Sequence, residues 1–97
     1  YIKGYGVAQN DKIASDRFHK AAEQGNVNAQ KDLGIMYYSG IGVTKDYVIS
    51  LMWFDIVIAN GFDKVQEFRS KVIRKLNSVQ LLEAKKMTED WLSQHQD

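Results

Sequence analysis

Cysteine and proline are both absent from the 97 residues of this chain. Without cysteine there is no disulfide, thiolate nucleophile, iron–sulfur cluster or cysteine-rich zinc site. Without proline, and with all seven glycines at or before Gly61, the sequence favours helices that end at glycines over a turn-rich β fold. The sequence therefore predicts an all-α fold.

An excess of charge of one sign and a long apolar run are lacking as well. Thirteen Lys and Arg against 12 Asp and Glu leave a formal net charge of +1, too little for the positive field that attracts nucleic acid or anionic membranes. The longest mostly apolar stretch, 47–59, is far shorter than the roughly 20 residues of a membrane-spanning helix. We expect no nucleic-acid binding and no membrane insertion, and the length allows one globular domain.

The sequence repeats itself at a spacing of 36 residues. Residues 1–25 paired with 37–61 give seven identities, among them Gly4 with Gly40 and Gly6 with Gly42, where roughly one or two would arise by chance. A period in the mid-thirties corresponds to two short helices and two turns. The repeat therefore predicts a solenoid of stacked helical hairpins.

Apolar residues at helical spacing, together with capping residues, predict five helices. The first covers about 11–24. Asn26 is placed to cap the second helix, which should end near residue 39, and Asp46 to cap the third, which should end before Gly61. The remaining two helices are predicted in the second half of the chain.

The fourth helix is expected to begin at Asp63, with Gln66 completing a capping-box-like pair, and the fifth at Asn77, with Gln80 in the same role. The fifth helix has no counterpart of the repeat glycines, so we interpret it as a capping helix. The predicted single helical-repeat domain thus divides into the end of a truncated repeat (1–7), repeat one (8–43), repeat two (44–76) and the capping helix (77–97).

Several of these segments resemble the Sel1-like repeat (SLR) family, a relative of the tetratricopeptide repeat (TPR). Residues 4–7 (GYGV) and 40–43 (GIGV) are similar to its G-x-G-V turn, and 20–25 (KAAEQG) to its alanine-rich helix end. Residues 53–54 match the following helix, and 77–92 resemble the capping helix that closes bacterial members. The resemblance implies a TPR-like α/α superhelix of about two repeats, from a bacterial protein of the periplasm or the cytoplasm.

The resemblance also implies a binding surface. In TPR-like arrays the first helix of each hairpin lines the concave face, and seven residues of this chain correspond to it: Lys12, Ser15, His19, Val48, Leu51, Asp55 and Ile58. An apolar floor with a polar rim suits a peptide or helix of another protein. We therefore expect a non-enzymatic protein–protein interaction adaptor or scaffold, with a protein or peptide partner and no cofactor.

Other interpretations of the sequence stay open. The almost wholly apolar helix 47–59 could be covered by neighbouring helices instead of by a partner. The chain could be a structural C-terminal cap of a longer array with recognition upstream, or a hydrolase using His19 beside Asp16 or Glu23 as a general base. Only His19 and His95 offer imidazole, and no metal-ligand cluster accompanies them.

Two further features bear on partners. Five basic residues lie close together after the second repeat's first helix. A set of this kind can contact nucleic acid or an acidic partner, but a solvated helix face is the simpler interpretation here: Lys64, Arg69, Lys71, Arg74 and Lys75. The chain starts at Tyr1 without an initiator Met, so we expect a piece of a longer protein. The side of the first helix carrying Ile13, Phe18 and Ala21 would then lack its neighbour and could drive self-association.

Overall fold

Five α-helices account for most of the described chain, residues 9–95 of the computed structural model, with side chains described from residue 12 onward. They are α1 (Gln9–Glu23), α2 (Val27–Ser39), α3 (Tyr47–Ala59), α4 (Gln66–Ile73) and α5 (Ser78–Gln94). No strand occurs among these residues, and the predicted all-α solenoid is confirmed. The first predicted turn, 4–7, lies outside the described residues.

Three helices begin at the capping residues that the sequence predicts. The Asn26 side chain accepts the backbone N–H of Ala29 at 3.0 Å, and Asp46 accepts that of Ile49 at 3.0 Å. Asn77 forms a complete capping box with the residue three positions on, with both reciprocal bonds present. These side chains satisfy backbone N–H groups that have no partner inside the helix.

The start of α4 differs from the prediction. The helix begins at Gln66, and its N-cap is Val65, whose side chain makes no capping bond. The expected pair of Asp63 and Gln66 is therefore wrong; the two residues are joined by a backbone turn bond of 3.2 Å instead. Val65 is 1% exposed, and the turn that carries it into the core takes up the residues expected to form the first helical turn.

The core is built around α3, which packs against α2, α4 and α5. One side of α3 joins a cluster that includes Leu33 of α2, and the other side joins a cluster that includes Val72 of α4 and Ala84 of α5. Phe54 and Ile56 of α3 are completely buried. Neighbouring helices thus cover most of the apolar helix that the sequence predicts at 47–59.

Gly34 is the point where α2 comes closest to α3. The Ser50 hydroxyl donates to the Gly34 carbonyl at 2.6 Å. A β-carbon built on Gly34 would lie 2.5 Å from Cε1 of Phe54, a ring that is fully buried and stacked on Phe68. The ring has no room to move aside, so only a residue without a β-carbon fits here.

We predict that Gly34→Ala destabilises the domain. The helix would gain about 1 kcal/mol of propensity. A β-carbon 2.5 Å from a buried ring puts the overpacking cost in the upper part of the usual range, about 2–3 kcal/mol, so the free energy of unfolding should fall by about 1–2 kcal/mol in urea denaturation. Asn28→Ala, at an exposed position of the same helix, is the matched control and should change stability little. If Gly34→Ala is as stable as the wild type, or costs as much in a Phe54→Leu background as alone, the close approach does not limit this position.

Candidate functional site

Two clefts open at opposite ends of the seam between α1 and α3. The first, which we call the His19 cleft, has a volume of about 470 Å³. The second, which we call the Trp91 cleft, has a volume of about 600 Å³ and lies where the C-terminal ends of α1, α3 and α5 meet. Both are within the size range of ligand-binding clefts.

The His19 cleft is formed by α1, the end of α2 and the segment that enters α3. Its walls include Lys12, Ser15 and Asp16 of α1, and its far side is the connection that contains Thr44 and Asp46. Lys12 and Asp16 form a salt bridge of 3.9 Å, with both side chains 69% exposed. An exposed pair of this kind contributes little stability, so both charges are accessible to a partner.

His19 closes α1 onto α2 through both of its ring nitrogens. Nδ1 lies 2.8 Å from the Ser15 carbonyl oxygen, and Nε2 lies 2.9 Å from the Tyr37 hydroxyl. Because a carbonyl can only accept, Nδ1 carries the hydrogen of the neutral ring, and Nε2 is left to accept the Tyr37 O–H. The imidazole and the phenol meet edge to face, with ring centroids 5.8 Å apart.

Tyr37 is held in its protonated form. Burial raises the pKa of Tyr37, and the Asp46 carboxylate raises it further, since both disfavour a negatively charged phenolate. A protonated phenol is the form that donates to Nε2 of His19. The lone pair that a general base would use is therefore already engaged.

The carboxylates that could have assisted His19 are bonded elsewhere. Asp16 pairs with Lys12. Glu23 accepts the indole N–H of Trp91 at 2.8 Å and lies 3.2 Å from Nε2 of His95. The geometry therefore lends no support to a hydrolase in which His19 acts beside Asp16 or Glu23.

One wall of the Trp91 cleft is a contact between α1 and α5, which are far apart in the sequence. Trp91 and His95 of α5 stack with ring centroids 3.7 Å apart and nearly parallel planes, and both reach Glu23 of α1. Nδ1 of His95 also lies 2.8 Å from the Trp91 carbonyl oxygen, so both His95 contacts are hydrogen bonds only when both nitrogens carry hydrogen. The sequence gives no local signal for this contact, because its partners are 68 and 72 residues apart.

The seven residues expected on a concave face do not come together. Lys12, Ser15 and His19 line the His19 cleft, although Ser15 is 2% exposed. The other four belong to the side of α3 that meets α4. Asp55 forms a salt bridge with Arg69 of α4. The three apolar residues belong to the cluster shared with α4: Val48, Leu51 and Ile58. Leu51 is 2% exposed and offers no surface to a partner in this conformation.

Equivalent positions of the two repeats perform the same structural task. His19 and Asp55 are 36 residues apart, and each bonds to the second helix of its own hairpin, through Tyr37 and Arg69 respectively. The residues assigned by resemblance to the concave face therefore include the polar contacts that close the hairpins. Their role in partner binding stays a prediction.

The remaining expected features can be located as well. Of the basic set, Arg69 is tied to Asp55 while Lys64, Lys71, Arg74 and Lys75 are exposed. Within residues 9–95, no three His, Asp or Glu side chains are grouped to hold a metal ion. No helix in the same part of the chain is long and apolar enough to cross a membrane.

The face expected to drive self-association is only partly open. Ile13 is 43% exposed, whereas Phe18 and Ala21 are partly buried and pack against the cluster around Leu33. The accessible apolar surface on this side of α1 is therefore smaller than the sequence predicts. Self-association through it stays a prediction.

Comparison with known proteins places this geometry in a class. The crystal structure of a protective antigen of uropathogenic Escherichia coli, which displays an SLR fold, superposes with a TM-score of 0.84 at 35% sequence identity, over 97% of this chain and 20% of that chain. An uncharacterized Sel1-like repeat-containing protein of Schizosaccharomyces pombe is 43% identical over 47 residues, 48% of this chain and 7% of the relative. No family model matches the chain.

These similarities define the chain first as an α/α solenoid. More specifically, it has the SLR fold, and its resemblance to the Sel1-like repeat family is confirmed. The chain corresponds to a fifth or less of the length of both proteins. SLR proteins generally mediate protein–protein interactions and are generally non-enzymatic.

The raised pKa of Tyr37 leads to a prediction for Asp46→Asn. Asparagine caps a helix as well as aspartate does, so α3 should stay intact while the negative charge near the phenol is lost. The pKa of Tyr37 should then fall toward its ordinary value of 10.0. NMR titration of the tyrosine rings measures this pKa, and the signals that disappear in Tyr37→Phe identify the Tyr37 ring. Asp16→Asn removes another carboxylate of the same cleft and should leave this pKa in place.

The same shift determines how stability depends on pH. The folded state holds the Tyr37 proton more tightly than the unfolded state. The stability that this difference contributes is therefore fully present below the ordinary pKa of tyrosine and is lost as the pH rises through the pKa of Tyr37 in the folded state. Tyr37→Phe should therefore lose less stability than the wild type between about pH 9 and about pH 11. Parallel losses in the two proteins, or an unchanged Tyr37 titration in Asp46→Asn, would contradict this account.

Proposed function

We propose that this chain is a non-enzymatic adaptor that binds a peptide segment of another protein along the seam between α1 and α3. The observation that carries the proposal is the presence of two open clefts at opposite ends of one seam. The seam is formed by the first helices of the two hairpins. A partner that occupied both clefts would contact both repeats, which makes binding depend on how the repeats are stacked.

The dimensions of the seam suit a short extended peptide. From Lys12 to Glu23, α1 rises by roughly 17 Å at about 1.5 Å per residue, and an extended peptide covers this length with about five residues. Partly buried apolar side chains border the seam, with Ile49 lining the His19 cleft and Phe18 packed on the core cluster of the same helices. Charged groups flank them, with Lys12 and Asp16 at one end and Glu23 at the other.

This arrangement has the composition of a recognition surface. An apolar centre excludes water from the contact, while a polar rim orients the ligand and selects among sequences. Catalysis would require a nucleophile or base with a free reacting atom, and Nε2 of His19 accepts from Tyr37 instead. The geometry therefore favours binding over hydrolysis.

A structural role within a longer array is the second candidate. It draws support from the comparisons, in which this chain corresponds to 20% of one SLR protein and 7% of another Sel1-like protein. In that case recognition would lie on other repeats, and α1 to α5 would supply the end of the stack. The two candidates differ in whether the isolated chain binds peptides at all.

We predict that peptides selected on this chain bind at the seam. A displayed library of random 12-residue peptides would be panned against the wild type, and the affinity of each selected peptide would be measured for Lys12→Glu/Thr44→Arg, which changes two exposed residues of the His19 cleft. Affinity should fall by about tenfold or more, because the variant reverses one charge and places a bulky side chain in the cleft.

The control carries the same kinds of substitution away from the seam. Lys64→Glu/Asn28→Arg alters two exposed residues that line neither cleft, one in the turn before α4 and one in α2. It should leave peptide affinity unchanged, with both variants first shown to unfold at the wild-type temperature. Selected peptides that bind all three proteins equally would remove the seam as the binding surface. Failure to select any peptide would favour the structural role.

A further inference from the structure

The Trp91 cleft differs from the His19 cleft in the charges that line it. In the His19 cleft Lys12 pairs with Asp16. Among the described residues, no Lys or Arg lines the Trp91 cleft, and its one carboxylate belongs to Glu23. The Glu23 side chain is 48% exposed, so a ligand in the cleft can reach this carboxylate.

Three helices bring their C-terminal ends to the Trp91 cleft. Glu23 ends α1, Ala59 ends α3 and Gln94 ends α5, and all three residues line the cleft. The last carbonyl groups of a helix have no partner inside it and give that end a partial negative charge. Of the three helices only α1 has a basic residue in its last turn, Lys20, which does not line the cleft. The helix ends therefore add to the negative potential of Glu23.

A buried glutamine orients another acceptor of the cleft. The side chain of Gln30 is completely buried. Its Nε2 donates to the Ala22 carbonyl of α1 at 3.1 Å, and its Oε1 accepts from Nδ2 of Asn60 at 3.3 Å. Because Asn60 donates through Nδ2, its side-chain oxygen is left to accept, and Asn60 is exposed and lines the cleft. The same two bonds join the ends of α1 and α3, so the acceptors of the two helices are held at a fixed spacing.

The aromatic wall of the cleft is favourable to a cation as well. Ring faces attract ammonium and guanidinium groups, and the alkyl stems of Lys and Arg pack on them. When the His95 ring is neutral, Nδ1 donates to the Trp91 carbonyl and Nε2 is an acceptor 3.2 Å from the Glu23 carboxylate. Two acceptors that face each other require a donor, which is either a proton on Nε2 or an N–H group of a ligand.

We propose that the Trp91 cleft binds an arginine side chain of the partner peptide. A guanidinium group carries five N–H donors in a planar fork, so it can donate to the Glu23 carboxylate of α1 and to the Asn60 oxygen beyond the end of α3, while its stem packs on the aromatic wall. A lysine ammonium is more compact and reaches fewer of these acceptors at once.

This inference rests on the proposed function, because the arginine belongs to the peptide that lies along the seam between α1 and α3. The seam spans about five extended residues, so the arginine lies at the end of the bound segment that is far from the His19 cleft. The inference adds the chemical identity of one peptide residue, and with it the direction from which specificity arises.

The peptides selected for binding at the seam provide the test. Each arginine of a peptide would be replaced in turn by citrulline, which has nearly the same shape and no charge, and affinity would be measured by fluorescence anisotropy at about pH 8, where an ordinary imidazole is neutral. Replacement of one arginine should weaken binding by about tenfold or more.

Glu23→Gln tests whether that arginine lies in the Trp91 cleft. The glutamine keeps an oxygen for the indole N–H of Trp91 and offers an N–H to the neutral ring of His95, so the contact between α1 and α5 is preserved while the charge is lost. Affinity for the arginine peptide should fall by about tenfold, whereas the citrulline peptide should bind the variant and the wild type equally. Glu89→Gln removes an exposed carboxylate of α5 that does not line the cleft and is the matched control.

A second variant adds charge instead of removing it. Gln24 is exposed and lines the cleft, so Gln24→Glu places another carboxylate there. It should tighten binding of the arginine peptide by about two- to fivefold, the range of an exposed ion pair, and leave the citrulline peptide unaffected. This variant keeps the inference testable if Glu23→Gln lowers the stability of the fold.

The results separate this inference from the proposed function. Seam-binding peptides that contain no arginine, or that tolerate citrulline at every arginine, would overturn the inference and leave the peptide-binding role in place. So would an arginine-dependent peptide that binds Glu23→Gln as tightly as Glu89→Gln, or Gln24→Glu no more tightly than the wild type. Failure to select any peptide that binds at the seam would overturn both.

Discussion

A helix with almost no polar surface has to be covered on every side, and the other helices of this fold are arranged around α3 for that reason. Its two polar side chains that point into neighbours are both satisfied, Ser50 by the Gly34 carbonyl of α2 and Asp55 by Arg69 of α4. The Ser50 bond fixes where α2 crosses α3, since a buried polar group without a partner is costly, and the partly exposed Asp55–Arg69 pair adds a polar contact between α3 and α4. The positions of both hairpins follow from the covering of one helix.

The open surface of the molecule is what remains after α3 has been covered. The two clefts lie toward opposite ends of α1, where it faces the two ends of α3. Polar contacts hold these ends in place: His19 to Tyr37 at one cleft, and Glu23 to Trp91 at the other. The same bonds that stabilise the stack therefore shape the surfaces offered to a partner.

The sequence predicted the features that depend on neighbouring residues. The repeat and the all-α solenoid follow from the spacing of residues along the chain, and the caps Asn26, Asp46 and Asn77 follow from the residues beside them. The start of α4 was predicted three residues too early, because burial of Val65 overrides a plausible capping pair. The candidate site was harder to predict. A period of 36 residues shows that His19 and Asp55 share a face, but it does not show that this face meets the next helix of the hairpin.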